Sequence, residues 1–373
     1  MALDATPLLG LPTGIGAFCR GALGALAARP GLDVRAFAVS WRRRAGIDAE
    51  LPAGVSARQR PMPARPLHAL WARADTPPVE WFIGKVDVVH GTNFVLPPTH
   101  CAGVVSVHDL TPLRHPELCD AATLAYPGLI RRALRRGAWV HTDSDFVAAE
   151  VVEAFGADPD RVRTVSPGVP ELPAPERAAA DAARGRLVPG SGPYCLAVGT
   201  AEPRKDLPGL VRAFGAVAAQ RPDLSLVLAG PPGWGEEALA AAVAASPVRD
   251  RIVRTGWLEP ADLAALLARA TVLVYPSLYE GFGFPPLQAM AAGVPVVASR
   301  AGSLPEVLGD AALLVEPGDT DGLAGALGAC LHDDALRARL VAAGHHRCAL
   351  YSWERCGAGL EELYRAAAAG RRG

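Results

Sequence analysis

Short apolar runs rich in β-branched residues alternate with helical stretches along the chain of 373 residues, and this alternation stops once and then starts afresh. Strands that alternate with helices of this length form parallel sheets covered by helices, so the predicted fold class is α/β. The break lies at 169–192, where Pro, Ala, Gly and charged residues replace the pattern. Such composition is typical of a linker between domains. The sequence therefore predicts two Rossmann-like domains with parallel sheets facing one another across a cleft.

The predicted bounds are 1–168 for the first domain, 169–192 for the linker and 193–351 for the second domain. A last helical segment, 352–373, is expected to pack back on the first domain. The strands expected in the first domain are 34–40, 86–90, 104–107, 139–142 and 162–165. Those expected in the second domain are 194–198, 224–229, 252–255, 272–275, 294–298 and 312–315.

Charge and composition exclude several classes of protein. A formal net charge of −1 gives no broad positive field for nucleic acid. The seven cysteines show no C-x-x-C spacing, so neither a zinc site nor a disulfide framework is expected. The sequence shows no signal peptide and no apolar run long enough to span a bilayer, which favours the cytoplasm. Peripheral contact with the inner face of a membrane stays open because Arg131, Arg132, Arg135 and Arg136 share one helical side, although such clusters are usually just solvated.

The most informative local segment follows the predicted strand 272–275. A Gly-rich loop carries Glu280, two prolines open a helix, and Gln288 lies in that helix before a further strand. Strand, glycine loop and helix build a ligand site outside the carboxyl ends of an α/β sheet. The open N–H groups of a helix start favour an anion, while a carboxylate and an amide can bind hydroxyls. A nucleotide sugar carries both kinds of group.

A second loop, 199–206, places Arg204 and Lys205 between a strand and a helix. Adjacent cations at the end of a strand suit a diphosphate leaving group, because they offset the charge that grows as the glycosidic bond breaks. A surface Arg-Lys pair is the alternative interpretation. The chain has only two lysines, so a lysine at this position favours the functional interpretation.

Three further segments are weaker candidates. Gly14 and Gly16 open the first helix and would let a ligand approach the backbone, but a plain tight turn has the same pattern. His108 ends a strand, where sites form, although a lone histidine is usually structural. Glu306 follows the strand after the Glu280 helix and would share its crevice, unless it only caps its own loop.

Together these motifs resemble the retaining glycosyltransferases of family four, which have the GT-B fold. In the first domain the matching motifs are the opening Gly-x-Gly loop and Val-His-Asp-Leu at 107–110. In the rest of the chain they are the Arg204-Lys205 loop, Thr-Gly-Trp-Leu at 255–258, the Glu280 loop, Ser-Leu-Pro-Glu-Val at 303–307 and Tyr-Ser-Trp-Glu-Arg at 351–355. The Arg-Lys and Glu280 motifs, in this order and spacing, are its specific part.

The resemblance implies a role for each matching position. Arg204 and Lys205 would hold the donor diphosphate, with backbone at Gly14 and Gly16, and Glu280 would bind hydroxyls of the transferred sugar. His108 would lie near the O6 of the sugar, and the backbone N–H groups of Phe282, Gly283 and Phe284 would lie beside the sugar. Gly256 and Trp257 would border the base, and Glu306 would reach the ribose or a phosphate. Gln288 replaces the second glutamate of the family motif, which normally grips the ribose. An amide still accepts there, with a weaker hydrogen bond.

The function implied is retaining transfer of a hexose from a nucleoside-diphosphate sugar to a glycan, polysaccharide or lipid-linked acceptor. GDP-mannose is the favoured donor and a UDP-sugar the next. No metal or other cofactor is expected, since Arg204 and Lys205 handle the diphosphate charge. Two alternatives stay open: a sugar-nucleotide epimerase of the same fold, and a non-catalytic regulator that binds a nucleotide sugar. An NAD dehydrogenase is disfavoured, because no G-x-G-x-x-G opens a strand-helix unit with an acidic residue downstream.

Overall fold

The computed structural model describes residues 1–10, 13–41, 44–57 and 60–370. The chain divides into two compact units. The first unit comprises Met1–Pro116, Ala121–Pro170 and Tyr351–Gly373, and the second comprises Glu117–Asp120 and Glu171–Leu350.

Over the described residues, the first unit holds a sheet of seven strands in the order β3-β2-β1-β4-β5-β6-β7, every neighbouring pair parallel. The strands are β1 (Ala2–Asp4), β2 (Arg35–Phe37), β3 (Ser56–Ala57), β4 (Val88–Gly91), β5 (Ala102–Val107), β6 (Trp139–Thr142) and β7 (Val162–Thr164). Strands β4 and β5 are buried along their whole length, as expected when helices cover both faces of a parallel sheet.

Six α-helices of the first unit lie before residue 171, counting only described residues. They are α1 (Gly14–Ala27), α2 (Ala64–Trp71), α3 (Glu80–Ile83), α4 (Thr111–Arg114), α5 (Tyr126–Arg135) and α6 (Asp145–Phe155). Local chemistry sets their ends. The Thr13 hydroxyl accepts from the Gly16 N–H at 3.1 Å at the start of α1, and Ser144 caps α6 in the same way.

The second unit holds a sheet of six described strands in the order β10-β9-β8-β11-β12-β13, again parallel throughout. The strands are β8 (Tyr194–Val198), β9 (Ser225–Ala229), β10 (Ile252–Gly256), β11 (Val272–Tyr275), β12 (Val296–Ser299) and β13 (Ala312–Val315). The helices of this unit are α7 (Arg177–Leu187), α8 (Leu207–Ala218), α9 (Glu236–Ala245), α10 (Pro260–Leu267), α11 (Phe284–Ala291), α12 (Leu304–Leu308), α13 (Thr320–His332) and α14 (Asp334–Cys348). The strand order reverses between β8 and β11. Ligands of open α/β sheets bind at such a switch point.

The last helix, α15 (Trp353–Ala369), belongs to the first unit and packs against α1. Its buried side chains include Leu360, Leu363 and Tyr364. Arg29, which follows α1, forms an ion pair with Glu361 of α15. Helix α15 is therefore part of the core of the first unit.

The structure differs from the sequence-based expectation at 169–192. This segment, expected to be a linker, contains helix α7, and its residues from Glu171 onward group with the second unit. Ala180 and Ala183 of α7 are buried against Ala265 of α10. Small side chains allow this close packing, whereas their weak apolar signal gave no clear helical pattern in the sequence.

Candidate active site

Two charged loops meet at the switch point of the second unit. Arg204 and Lys205 follow β8, and Glu280 follows β11, the neighbouring strand of the sheet. Arg204 Nη1 donates to Glu280 Oε2 at 2.8 Å, and Lys205 Nζ donates to Glu280 Oε1 at 2.6 Å. Three of the four charged residues that the sequence singled out in this domain, all except Glu306, therefore form one cluster.

Backbone contacts fix the Glu280 loop. The Leu278 N–H donates to the Arg204 carbonyl at 2.7 Å, which joins the two loops directly. The Ser303 N–H donates to the Glu280 carbonyl at 2.9 Å. Gly302 has a φ of +55°, and a Cβ at this position would lie 2.2 Å from the Glu280 carbonyl oxygen. A glycine is therefore required where the 302 segment supports the carboxylate loop.

Burial and charge set the protonation state of Glu280, a residue that is only 5% exposed. Burial alone would raise the pKa of this carboxyl group, but Arg204 and Lys205 outweigh burial and lower the pKa to about 2. Glu280 is therefore a carboxylate at neutral pH and can accept hydrogen bonds only.

Lys205 is also buried and has a second partner. Its Nζ donates to the Tyr275 hydroxyl at 2.6 Å and lies 4.5 Å from the centre of the same ring. Burial and the neighbouring Arg204 lower the pKa of Lys205, while Glu280 acts in the opposite direction. Burial and the charge of Glu280 raise the pKa of Tyr275, which stays a neutral phenol.

The formal charges of this cluster cancel. Arg204 Nε donates to Glu202 Oε2 at 2.8 Å, so two cations are matched by the carboxylates of Glu202 and Glu280. A polyanion that binds Arg204 or Lys205 must therefore compete with a carboxylate. Binding of an anion and release of the Glu280 oxygens are coupled by this geometry.

The start of α11 lies on the chain just after Glu280. Gly283, with a φ of +110°, occupies the position before the helix, and Phe284 begins it. Phe282 is buried and its ring contacts that of Phe284 edge to face at 5.5 Å. Gln288 is half-buried on the same helix. The backbone N–H groups of a helix start and the amide of Gln288 are thus presented by one element.

A cavity of about 220 Å³ opens at the carboxyl ends of β8, β9 and β10. Gly256, expected to border a base, lines it, and Trp257 is the next residue. Gly230 also lines it with a φ of +155°, where a Cβ would lie 1.9 Å from the Gly199 carbonyl oxygen. Because Gly230 and Gly256 have no side chains, the strand ends leave the cavity open.

His108 lies in the first unit and is not part of the charged cluster just described. It follows β5, and its Nδ1 is 2.7 Å from Asp143 Oδ2, at the end of the neighbouring strand β6. Its Nε2 is 2.8 Å from the Thr92 carbonyl oxygen. Burial would lower the pKa of His108, but the charge and hydrogen bond of Asp143, together with the Thr92 carbonyl, raise it. Both ring nitrogens therefore have partners within the first unit.

The other candidate residues are placed as follows. Gly14 begins α1 and Gly16 is buried in its first turn, both in the first unit. Glu306 lies in the first turn of α12, and its backbone carbonyl accepts from the Arg347 guanidinium. Of the arginines at 131–136, Arg132 in α5 and Arg136 just after it both pair with Asp75 of the same unit.

Sequence reasoning assigned no role to four partners of the site residues: Thr92, Asp143, Glu202 and Tyr275. Asp143 had a usable signal, because it follows β6 as His108 follows β5, and adjacent parallel strands end at the same edge. Tyr275 had one too, as the last residue of the strand that leads to Glu280.

Comparison with known proteins identifies the family. Residues 192–333 match the family described as "Glycosyl transferases group 1", and residues 12–171 match "Glycosyltransferase Family 4". The chain is similar to O-antigen chain mannosyltransferase B of Escherichia coli, with 34% identity over 276 residues, which are 72% of this chain and 71% of the relative. The chain belongs to glycosyltransferase family 4.

Other matches agree with this assignment. A D-inositol 3-phosphate glycosyltransferase of Acidothermus cellulolyticus is 31% identical over 308 residues, covering 78% of this chain and 67% of the relative. The glycosyltransferase also resembles the solved structure of sucrose-phosphate synthase from Thermosynechococcus elongatus, with a TM-score of 0.76, 22% identity and 99% coverage of both chains. The GT-B fold class and the family predicted from the motifs are confirmed.

Two properties of this glycosyltransferase concern membranes and metals. None of its described helices combines the length and apolarity needed to cross a bilayer. Within the described ranges, no three His, Cys, Asp or Glu side chains group as metal ligands would.

Proposed function

We propose that this glycosyltransferase moves a hexose from a nucleoside-diphosphate sugar to a glycan, polysaccharide or lipid-linked acceptor, with retention at the anomeric carbon and without a metal ion. Mannose from GDP-mannose is the favoured donor sugar. The observation that carries the proposal is the cluster of half-buried Arg204 with buried Lys205 and Glu280 at the switch point of the second sheet. The similarity to a mannosyltransferase of Escherichia coli supports the choice of sugar.

In this proposal the cations act on the leaving group. Breakage of the glycosidic bond places negative charge on the diphosphate, and a guanidinium and an ammonium stabilise that charge more strongly in a buried site than in water. Arg204 supplies planar N–H donors and Lys205 a compact charge, so the two can contact different phosphate oxygens. Their charge takes the place of a metal ion.

Glu280 acts on the sugar. While Arg204 and Lys205 pair with it, its pKa is lowered to about 2, so Glu280 is a carboxylate before the donor arrives and its oxygens can accept hydrogen bonds from sugar hydroxyls. Because the diphosphate draws Arg204 and Lys205 away from the carboxylate, binding of the donor frees the Glu280 oxygens to accept from the sugar hydroxyls of the same ligand. Gln288 and the backbone at Phe282, Gly283 and Phe284 lie on the same loop and helix and would complete the contacts to the donor. The roles implied for Gly14, Gly16, His108, Gly256, Trp257 and Glu306 stay predictions.

The direct test follows GDP release from GDP-mannose, with UDP-glucose as the competing donor and with water or short mannose oligosaccharides as acceptors. Glu280→Gln is compared with Glu237→Gln, an isosteric change at an exposed position of α9. Loss of a charged hydrogen bond should slow GDP release by about 10- to 100-fold in Glu280→Gln. The Glu237→Gln variant should keep the wild-type rate.

Two results would contradict the proposal. Binding of both donors without any nucleotide release by the wild type would favour the non-catalytic regulator. NMR of freshly formed product with a β-linkage from an α-configured donor would exclude retention.

A further inference from the structure

The cavity at the ends of β8, β9 and β10 adjoins the cationic loop. Gly199, Ala201 and Leu207 line the cavity and flank Arg204 and Lys205 in the chain. A diphosphate held by these two cations would therefore place its nucleoside in or beside this cavity. Among the described residues that line it, Glu236 and Arg254 alone have polar side chains, and the rest of the wall is Ala, Gly, Leu and Pro.

Glu236 and Arg254 form an ion pair in which only one of the two carboxylate oxygens accepts a hydrogen bond. Arg254 Nη2 donates to Glu236 Oε1. The second oxygen, Oε2, is shielded from solvent and has no hydrogen-bond partner among the described residues. A shielded carboxylate oxygen without a donor is unfavourable in the free protein, and a ligand that supplies an N–H relieves that cost.

The pair also has a defined orientation. Glu236 begins α9 and Arg254 lies on β10, so the backbone of each residue is held in regular secondary structure. The ion pair joins the two side chains, and both residues line the cavity. This arrangement presents two acceptor oxygens beside a row of guanidinium donors.

We propose that Glu236 and Arg254 read the base of the nucleoside diphosphate and select guanine. The inference rests on the proposed function, since it assumes that a nucleoside diphosphate binds at Arg204 and Lys205. Guanine carries two adjacent donors, N1–H and the 2-amino group, with the O6 acceptor next to them. The Glu236 carboxylate accepts from both donors, and the Arg254 guanidinium donates to O6.

Other bases do not match this pattern. Uracil has one N–H between two carbonyl oxygens, so a carbonyl lone pair would face a carboxylate oxygen. Adenine has one amino group beside a ring nitrogen that only accepts. Sites built to hydrogen-bond a polar group reject analogues that lack it, because their own buried groups are then left unpaired.

The test is isothermal titration calorimetry of the whole protein with GDP, IDP, UDP and ADP. IDP is guanosine diphosphate without the 2-amino group, so it removes one of the two predicted contacts and leaves the diphosphate intact. Wild-type protein should bind GDP about 10-fold more tightly than IDP and about 30-fold more tightly than UDP or ADP. This comparison needs no variant, so it does not depend on how well a mutant folds.

Glu236→Gln replaces one acceptor oxygen by an NH₂ group that faces guanine donors. It should weaken GDP binding by about 10- to 30-fold and leave GDP and IDP within about threefold of each other. The matched control is Glu237→Gln, which removes the same charge from the same helix turn at an exposed position and should leave every affinity within about twofold.

The outcomes separate the two proposals. If the wild type binds these nucleotides but does not distinguish GDP from IDP, the guanine assignment is wrong and the proposed function stands. The same holds if Glu236→Gln keeps the GDP to IDP ratio. If the wild type prefers UDP, the guanine assignment and the choice of GDP-mannose are both wrong, while hexose transfer from a nucleoside-diphosphate sugar stands. If no nucleoside diphosphate binds, the site at Arg204 and Lys205 is itself wrong.

Discussion

Both ring nitrogens of His108 face oxygen atoms that only accept: a carboxylate oxygen of Asp143 at 2.7 Å and the Thr92 carbonyl at 2.8 Å. A neutral imidazole has one N–H, so one of these contacts would set two lone pairs against each other. Protonation of both nitrogens satisfies both contacts and forms a buried ion pair with Asp143. The structure is therefore that of an imidazolium, and a general-base role for His108 would require a proton to leave this pair first.

The stability of the protein should depend on pH through this pair. The raised pKa of His108 adds stability that is fully present below the ordinary histidine pKa of about 6.5 and is lost as pH rises through the folded-state value. The titratable groups that interact with the charge of His108 are the carboxyl groups of Asp143 and Asp109 and the neutral rings of His141 and His90. Urea unfolding between pH 6 and 9 should show a decline that Asp143→Asn removes, with an overall cost of about 3 kcal/mol at pH 6.

Asp48→Asn, an exposed change in the first unit, is the control and should follow the wild-type pH curve. An Asp143→Asn protein with the same pH dependence as the wild type would show that His108 is neutral in the folded state.

The sequence singled out charged residues of the second unit as candidates but did not predict how they pair. Arg204, Lys205 and Glu280 stood at strand ends in Gly-containing loops, which is a local signal. Arg204 and Lys205 can pair with Glu280 because β8 and β11 are neighbours in the sheet. This strand order cannot be predicted from any single segment of the sequence. For the same reason the sequence did not predict that Asp143 pairs with His108.

At the scale of elements, α15 is tied to the sheet of the first unit by a chain of buried hydrogen bonds. The Val165 carbonyl only accepts, so His141 Nε2 must donate to it at 3.0 Å, and Ser106 must then donate to His141 Nδ1 at 2.9 Å. His90 Nε2 donates to Ser106 at 2.8 Å, and the Tyr364 hydroxyl donates to His90 Nδ1 at 2.6 Å. Burial lowers the pKa of both histidines, consistent with neutral rings in this chain.

Tyr364→Phe should therefore destabilise the protein by about 1–2 kcal/mol, because it leaves a buried ring nitrogen of His90 without a donor. Chemical denaturation monitored by circular dichroism measures the loss. An unchanged midpoint would mean that the hydroxyl contributes nothing to holding α15 on the sheet.

Helix α7 makes a prediction of its own, because its packing against α10 depends on small side chains. Ala183→Leu forces a larger group into the contact with Ala265 and should cost about 1–3 kcal/mol. Ala182→Leu, one residue earlier and exposed, should change stability by less than about 0.5 kcal/mol. Equal effects at both positions would mean that α7 does not pack as the structure describes.

Elements with a clear apolar pattern were predicted from the sequence with their bounds. Strands β6, β8, β11 and β13 have the expected limits. The three-residue strand β1 was missed, since Ala2–Asp4 is too short to show alternation. Helix α7 was missed because alanine, arginine and glycine give no amphipathic stripe, and only the partner surface of α10 reveals its role.

At the scale of the whole molecule, transfer should not need a divalent cation. The formal charges of Arg204 and Lys205 offset the diphosphate in the proposed reaction. Sugar transfer from GDP-mannose should therefore keep its rate in excess EDTA, and added Mg²⁺ or Mn²⁺ should not restore or raise it. Loss of transfer on chelation, reversed by one of these ions, would contradict the metal-independent mechanism.

The central claim is that Arg204 and Lys205 bind the diphosphate while Glu280 binds the sugar, so changes at the two ends must act differently on two ligands. Calorimetric titration of GDP and GDP-mannose into Lys205→Met and Glu280→Gln measures this directly. Lys205→Met should weaken both ligands by about 10-fold or more, through loss of a charged contact. Glu280→Gln should keep or strengthen GDP binding, because it frees the cations, and should weaken GDP-mannose relative to GDP by about 10-fold. Parallel losses for both ligands in both variants, or no loss in either, would contradict the account.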